Sequence, residues 1–247
     1  MTALADLLQR QAVWRGGAAL ATSAAPAAPA VPTGFGALDR ELPGGGWPVG
    51  GLAEVLCGVE GIGELQIVLP ALAALTAAGH RVAWLAPPHL PYAPALRVAG
   101  VRLEQLTVVR APGRRDALWA AEQALRARAF HVLLAWLPHA SYPELRRLAV
   151  AAQPGPGFAL AFRPPEAGCE SSPAVLRLAL EPAPETEAAQ FPIQLAVRIL
   201  KRRGAPLAAP LRIPIEGPFI ERPARALGRA SFPAAPAPGA RTRACAA

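Results

Sequence analysis

The run Leu52-Ala53-Glu54-Val55-Leu56 is followed by Cys57-Gly58-Val59-Glu60-Gly61-Ile62-Gly63, and then by Glu64-Leu65 at the head of an apolar stretch that reaches Ala78. A short apolar strand, a glycine loop and a helix in that order are the layout of a phosphate-binding P-loop, whose pattern is G-x-x-x-x-G-K-[ST]. Gly58 and Gly63 stand at the two glycine positions, with Gly61 between them. Glycines there let backbone N–H groups curl around phosphate at a helix N-terminus. The next two positions call for a lysine to bridge the phosphates and a hydroxyl to hold Mg²⁺, and here they are Glu64 and Leu65. A carboxylate at that point is stabilised by the helix dipole and repels a polyphosphate. Leucine ligates no metal.

Two further parts of a nucleotide-hydrolysing site are missing. The strand that would end in a metal-binding aspartate reads Val132-Leu133-Leu134-Ala135 and ends in Trp136. After the second strand, where a catalytic carboxylate is expected, the sequence is Ala86-Pro87-Pro88-His89. Loss of three parts of one mechanism predicts a protein without ATP hydrolysis, with no cofactor and no metal.

Around this centre, apolar strands alternate with helices. Strands are predicted at 52–56, 81–85, 106–109, 131–137 and 158–162, and helices at 64–78, 91–99, 116–129 and 142–152. Pro70 falls inside the first of these helices and should kink it or delay its start. The alternation predicts an α/β fold with a mostly parallel sheet covered on both faces. Segments 175–181, 192–201 and 211–215 alternate with period two, as antiparallel strands appended on the C-terminal side. The organisation read from this is an N-terminal helix over 1–17, an Ala/Pro linker over 18–32, an α/β domain over 33–221, and a basic, disordered tail over 222–247.

Hydrophobic residues make up 53% of the 247 positions, which suits a buried core. The most apolar run holds Gln66 and Pro70 and is too short to span a bilayer. The N-terminus carries Asp6, Gln9 and Arg10 where a signal peptide needs an apolar stretch, so a cytoplasmic location is expected. Cys57, Cys169 and Cys245 are scattered, and His80, His89, His131 and His139 lack ligand spacing. The formal net charge is +8, carried almost wholly by arginine. Such a charge fits nucleic acid, an acidic partner or a membrane surface, and does not choose among them.

Several stretches resemble one family. Thr33-Gly34-Phe35-Gly36-Ala37-Leu38-Asp39, Trp47-Pro48-Val49-Gly50-Gly51 and Leu52-Ala53-Glu54-Val55 look like the opening of a RecA core. Leu7-Leu8 to Val13-Trp14-Arg15-Gly16, Gly61-Ile62-Gly63-Glu64-Leu65, Leu69-Pro70-Ala71-Leu72 and Val197-Arg198-Ile199-Leu200-Lys201-Arg202-Arg203-Gly204 resemble the ImuA family of translesion-synthesis-associated proteins. The cell-division inhibitor SulA is a weaker resemblance. Membership of the ImuA family implies a non-catalytic, SOS-induced adaptor of error-prone translesion synthesis. Its implied partners are RecA, the inactive Y-family-like polymerase ImuB and an error-prone DNA polymerase III alpha subunit. The alternatives are a nucleotide-dependent DNA-binding ATPase of RecA type and a SulA-like division inhibitor. Candidate partner or DNA contacts are Arg198, Lys201, Arg202 and Arg203 at a strand end, and Arg222, Arg225 and Arg229 in the tail. In the N-terminal helix Leu4, Leu7, Leu8 and Val13 fall near one face, and Leu4, Leu7, Leu8 and Trp14 are candidates for packing on a neighbour or for folding back on the chain's own core.

Overall fold

Val132-Leu133-Leu134-Ala135-Trp136 carries apolar side chains at every position because both faces of its strand are covered. Leu52–Cys57 and Phe158–Arg163 are covered in the same way and are apolar except at Glu54 and Arg163. The computed structural model describes residues 29–58, 61–153, 155–183, 193–204, 207 and 209–215. In chain order the elements are β1 Ala30–Val31, α1 Gly36–Glu41, β2 Trp47–Pro48, β3 Leu52–Cys57, α2 Leu69–Ala77, β4 Val82–Leu85, α3 Ala93–Val98 and β5 Leu106–Val109. They continue as α4 Arg114–Arg126, β6 Val132–Trp136, α5 Tyr142–Ala152, β7 Phe158–Arg163, a 3₁₀ turn Pro165–Cys169, β8 Leu176–Pro182, β9 Ile193–Lys201 and β10 Leu211–Ile215.

Eight strands form one sheet in the order β10-β9-β8-β3-β7-β6-β4-β5. The six from β8 to β5 are mutually parallel, and β9 and β10 are antiparallel additions. Mixed α/β with a mostly parallel sheet is therefore the fold class. One expectation changes: segment 175–181 pairs parallel to β3 through Ala53↔Leu176 and Val55↔Leu178, so only two appended strands are antiparallel to their neighbours. Alternation specifies which face a side chain meets but says nothing about strand direction. Pro70 delays the helix rather than kinking it: residues 64–68 are turns, and α2 starts at Leu69 with the proline in its first turn.

One face of the sheet packs against α1, α2 and α3 through Leu38, Leu72 and Leu96. The other packs against α4 and α5 through Leu118, Ala121, Leu145 and Leu148. α5 is strongly nucleated: Ser141 and Glu144 form a reciprocal capping box, and Pro143 sits in the first turn. Burial raises the Glu144 pKa, but bonds from the Ser141 hydroxyl and N–H, and the Arg114 guanidinium, together hold it below its ordinary value. On this face the 3₁₀ turn packs beside β3. There Glu54, fully buried, accepts from Arg163 Nη1 at 3.3 Å and Arg177 Nε at 2.5 Å. The two guanidiniums also donate to the carbonyls of Ala140, Ala167 and Glu170, so an ionic layer stitches the 3₁₀ turn to the sheet.

The expected N-terminal helix with Leu4, Leu7, Leu8 and Trp14, and the tail with Arg222, Arg225 and Arg229, lie outside the described residues. No helix among the described residues is long and apolar enough to cross a membrane.

Candidate functional site

In an open parallel sheet, ligands bind outside the carboxyl ends of the strands. Here that edge gathers the loops after β3, β4, β5 and β6. The glycine loop after β3 is closed upon itself. The Glu64 carboxylate accepts the Gly61 N–H at 3.0 and 3.2 Å, so a side chain of the loop takes a donor that phosphate would need. Gln66 N–H donates to Gly63 O, and Val68 and Leu69 N–H donate to Leu65 O, so three more donors of the turn are taken within it. Gly63 has φ +101°, and a Cβ built there would stand 2.7 Å from Ile215 Cδ1 of β10. Glycine is needed at this point for its left-handed backbone. It is also needed because an apolar side chain from β10 fills the space above it. Leu65 and Ile62 pack against the core. Gly58 lies at the strand end with Pro165 beside it, while Val59 and Glu60 lie outside the described residues.

The metal-acid position is equally filled. Trp136 stacks on Phe162 with ring centroids 4.7 Å apart and meets Trp84 at 5.7 Å. These rings cap β4, β6 and β7 with apolar surface. Beside Trp136, a cavity of about 280 Å³ opens between Ala86, Pro112, Leu118, Leu137 and His139. Its walls are mostly apolar, and among the described residues no group of three or more His, Cys, Asp or Glu is placed to hold a metal ion. Restoring the two motif side chains, Glu64→Lys with Leu65→Thr, is expected to leave phosphate release from ATP at the level of the unaltered chain. Trp136 still supplies no metal ligand and Ile215 still fills the loop. A rise above that level would overturn the filled-loop account.

The remaining sequence candidates separate in space. Arg198 is exposed on β9. Lys201 donates to Ser172 O at 2.8 Å, and Arg202 binds the carbonyl and carboxylate of Glu41 in α1. These two cations thus hold the β9 end to its own fold, while Arg203 stays exposed at the turn. Among the described residues Cys57 and Cys169 are not joined in a disulfide, and Cys245 lies outside those residues. His80 and His131 stack with centroids 3.7 Å apart. Burial first, and His80 second, lower the His131 pKa.

What the residue-by-residue reading missed is the surface beside the filled crevice. The loop between β4 and α3 presents Leu90 at 71% and Tyr92 at 65% exposure, and Val98 on α3 continues the patch. The run Pro87-Pro88-His89-Leu90-Pro91-Tyr92 carried the signal. Prolines hold the backbone extended while an aliphatic and an aromatic side chain stay in solvent.

Comparison with known proteins points to one family name. A family model described as "Cell division inhibitor SulA" matches residues 52–159, from β3 into β7. Cell division inhibitor SulA of Edwardsiella piscicida is 35% identical over 83 residues, which is 34% of this chain and 49% of that protein. The chain thus spans about half the length of this curated relative. The crystal structure of SulA from Pseudomonas aeruginosa matches with 27% identity and a TM-score of 0.39, over 45% of this chain and 96% of that one.

These matches overturn the resemblance to the ImuA family. The translesion-synthesis role falls with it, as do RecA, ImuB and the DNA polymerase III alpha subunit as partners, and the DNA contact attached to them. The matched stretch, residues 52–159, includes the glycine loop and the helix that follows it. Of the stretches read as ImuA-like, Gly61 to Leu65 and Leu69 to Leu72 lie inside it, and those around Leu7 to Gly16 and Val197 to Gly204 lie outside it.

Proposed function

We propose that this chain is a non-catalytic, cytoplasmic inhibitor of cell division of the SulA type. In this reading it acts by binding the division GTPase FtsZ, not by chemistry. The observation that carries the reading is the SulA-model match over residues 52–159, the segment that supplies the loops after β3, β4, β5 and β6. The geometry supports it in two ways. Glu64, Ile215 and Trp136 fill the places where a nucleotide and its metal would sit. Beside them, Leu90 and Tyr92 stand in solvent as anchors for a protein surface. The glycine-loop strand β3, flanked on both sides by parallel strands, supports reading the sheet as a reduced RecA-like core.

The test is expression of the full chain in a rod-shaped bacterium, followed by assay of purified chain against FtsZ. Filamentous cells and suppressed GTPase activity are the expected results. The Leu90→Ser, Tyr92→Ala variant should weaken FtsZ binding by roughly 30-fold, the loss of one interface hot spot. Normal division together with unchanged GTPase activity at excess chain would sink the proposal.

A further inference from the structure

Helices α4 and α5 lie side by side on one face of the sheet, and the groove between them is lined by Arg126, Arg128, Pro143, Arg146, Arg147 and Val150. The opening is about 560 Å³. Its chemistry is lopsided: four guanidiniums border it, and Glu122 pairs with two of them, Arg126 and Arg147. Glu122 is itself nearly buried, at 8% exposure. It binds Arg126 Nη2 at 2.7 Å and Arg147 Nη2 at 3.1 Å. One buried carboxylate thus holds an arginine from each helix in place while both remain more than half exposed. Fixing a long side chain before a ligand arrives removes part of the ordering cost of binding. Arg128 and Arg146 are exposed, and among the described residues no acid pairs with either.

Arg128 adds a second, independent observation. It follows the C-cap of α4 with φ +49°, the left-handed conformation that helix ends usually give to glycine. A non-glycine residue held there is strained, and strain of this kind gathers where a side chain is put to use. Here it sets a guanidinium at the mouth of the groove, beside Arg126.

The floor decides which anion fits. Pro143, Val150 and Ala151 are apolar, and Val150 is 53% exposed. A nucleic-acid backbone gains nothing from that floor. A peptide strand bearing two or three carboxylates around one aliphatic side chain satisfies both parts. Its carboxylates meet the planar guanidinium forks, which match them bidentately, and its apolar side chain covers Val150. We infer that the α4–α5 groove is a docking site for an acidic protein segment with a central aliphatic residue. The site lies at the end of α4 away from the Leu90–Tyr92 loop and stands independently of it.

The experiment uses the full chain and a fluorescein-labelled probe peptide, Asp-Glu-Asp-Leu-Glu-Asp-Glu, read by anisotropy at fixed salt. Comparison ligands are the same peptide with Leu replaced by Ser, and a single-stranded 12-mer DNA. The probe should bind, and the Arg128→Gly, Arg146→Ala variant should weaken it by at least roughly tenfold, the loss of one charge-assisted contact. Glycine at 128 relieves the strained backbone, so this variant should keep or raise its melting temperature. The Ser-containing peptide should bind roughly fivefold more weakly, as expected for one uncovered aliphatic side chain. The Leu90→Ser, Tyr92→Ala variant should bind the probe unchanged. The inference is overturned if the probe does not bind or if the groove variant binds it as tightly as the parent. It is also overturned if the DNA binds more tightly than the peptide and loses that binding in the same variant.

Discussion

Replacing Glu54 by alanine is expected to lower the unfolding free energy by about 3–5 kcal/mol, the cost of leaving a buried charge without its partner. The side chain is fully buried in the middle of β3, and its two oxygens take one guanidinium each, from Arg163 on β7 and Arg177 on β8. After the substitution Arg177 keeps the carbonyls of Ala167 and Glu170, but no carboxylate remains within its reach among the described residues. Arg163 keeps Ala140 O and the largely exposed Glu170 carboxylate. Two buried cations then lie in a layer from which the fully buried anion is gone, with the largely exposed Glu170 carboxylate left to Arg163. Stability of a domain is only about 5–15 kcal/mol in total, so the variant should unfold at markedly lower urea. A second variant separates charge from volume. Replacing Glu54 by leucine together with Arg177 by methionine should recover most of the loss, because a buried ion pair exchanged for apolar residues is often near neutral. A loss below about 1 kcal/mol for Glu54→Ala, the range of exposed pairs, would mean that water reaches this layer.

Glu54 also marks how far sequence reading goes in this chain. β5 and α5 were legible to the residue, because Leu106–Val109 is bounded by turn residues and Ser141, Pro143 and Glu144 announce a helix start. The parallel sheet was legible because its strands are apolar at consecutive positions. The Glu54 layer was not, since its partners lie 109 and 123 residues away. A lone glutamate in an apolar strand has no local signature of what neutralises it. The glycine loop was readable as lacking lysine and hydroxyl, but Ile215 closing over Gly63 depends on where β10 packs. The basic groove was invisible for a related reason. Arginines are spread along the whole chain, and only the packing of α4 on α5 gathers Arg126, Arg128, Arg146 and Arg147. The ImuA resemblance failed on short stretches. A glycine turn after a strand and a basic turn after another recur wherever this layout recurs, so their order carried less information than the continuous match from residue 52 to 159.

Gly157→Ala should be the most damaging single methyl that can be added at a described glycine, costing on the order of 4 kcal/mol. A Cβ built at Gly157 would stand 1.5 Å from the carbonyl oxygen of His131 and 2.4 Å from its carbonyl carbon. Both obstacles are backbone, so no rotamer change relieves them. The contact exists because β7 enters the sheet here: Phe158 N–H donates to His131 O at 2.9 Å, and Val132 faces Phe158 in the ladder. Gly157 O in turn accepts Gly50 N–H at 2.7 Å, tying in the turn that leads to β3. Making room for one methyl requires β6 and β7 to part at their first pair, which breaks the Phe158 bond and disturbs the His131 N–H to Arg81 O bond beside it. Strain placed at the entrance of two central strands spreads to the register of both. Gly36→Ala is the matched control, since a Cβ there meets nothing within 4 Å and lies at the start of α1. It should leave stability unchanged or raise it by up to about 1 kcal/mol through the unfolded chain. Urea denaturation of both variants beside the parent decides the point. Equal midpoints for Gly157→Ala and Gly36→Ala would show that the β6–β7 entrance yields to the methyl and that the close approach of the two backbones is not a constraint of this fold.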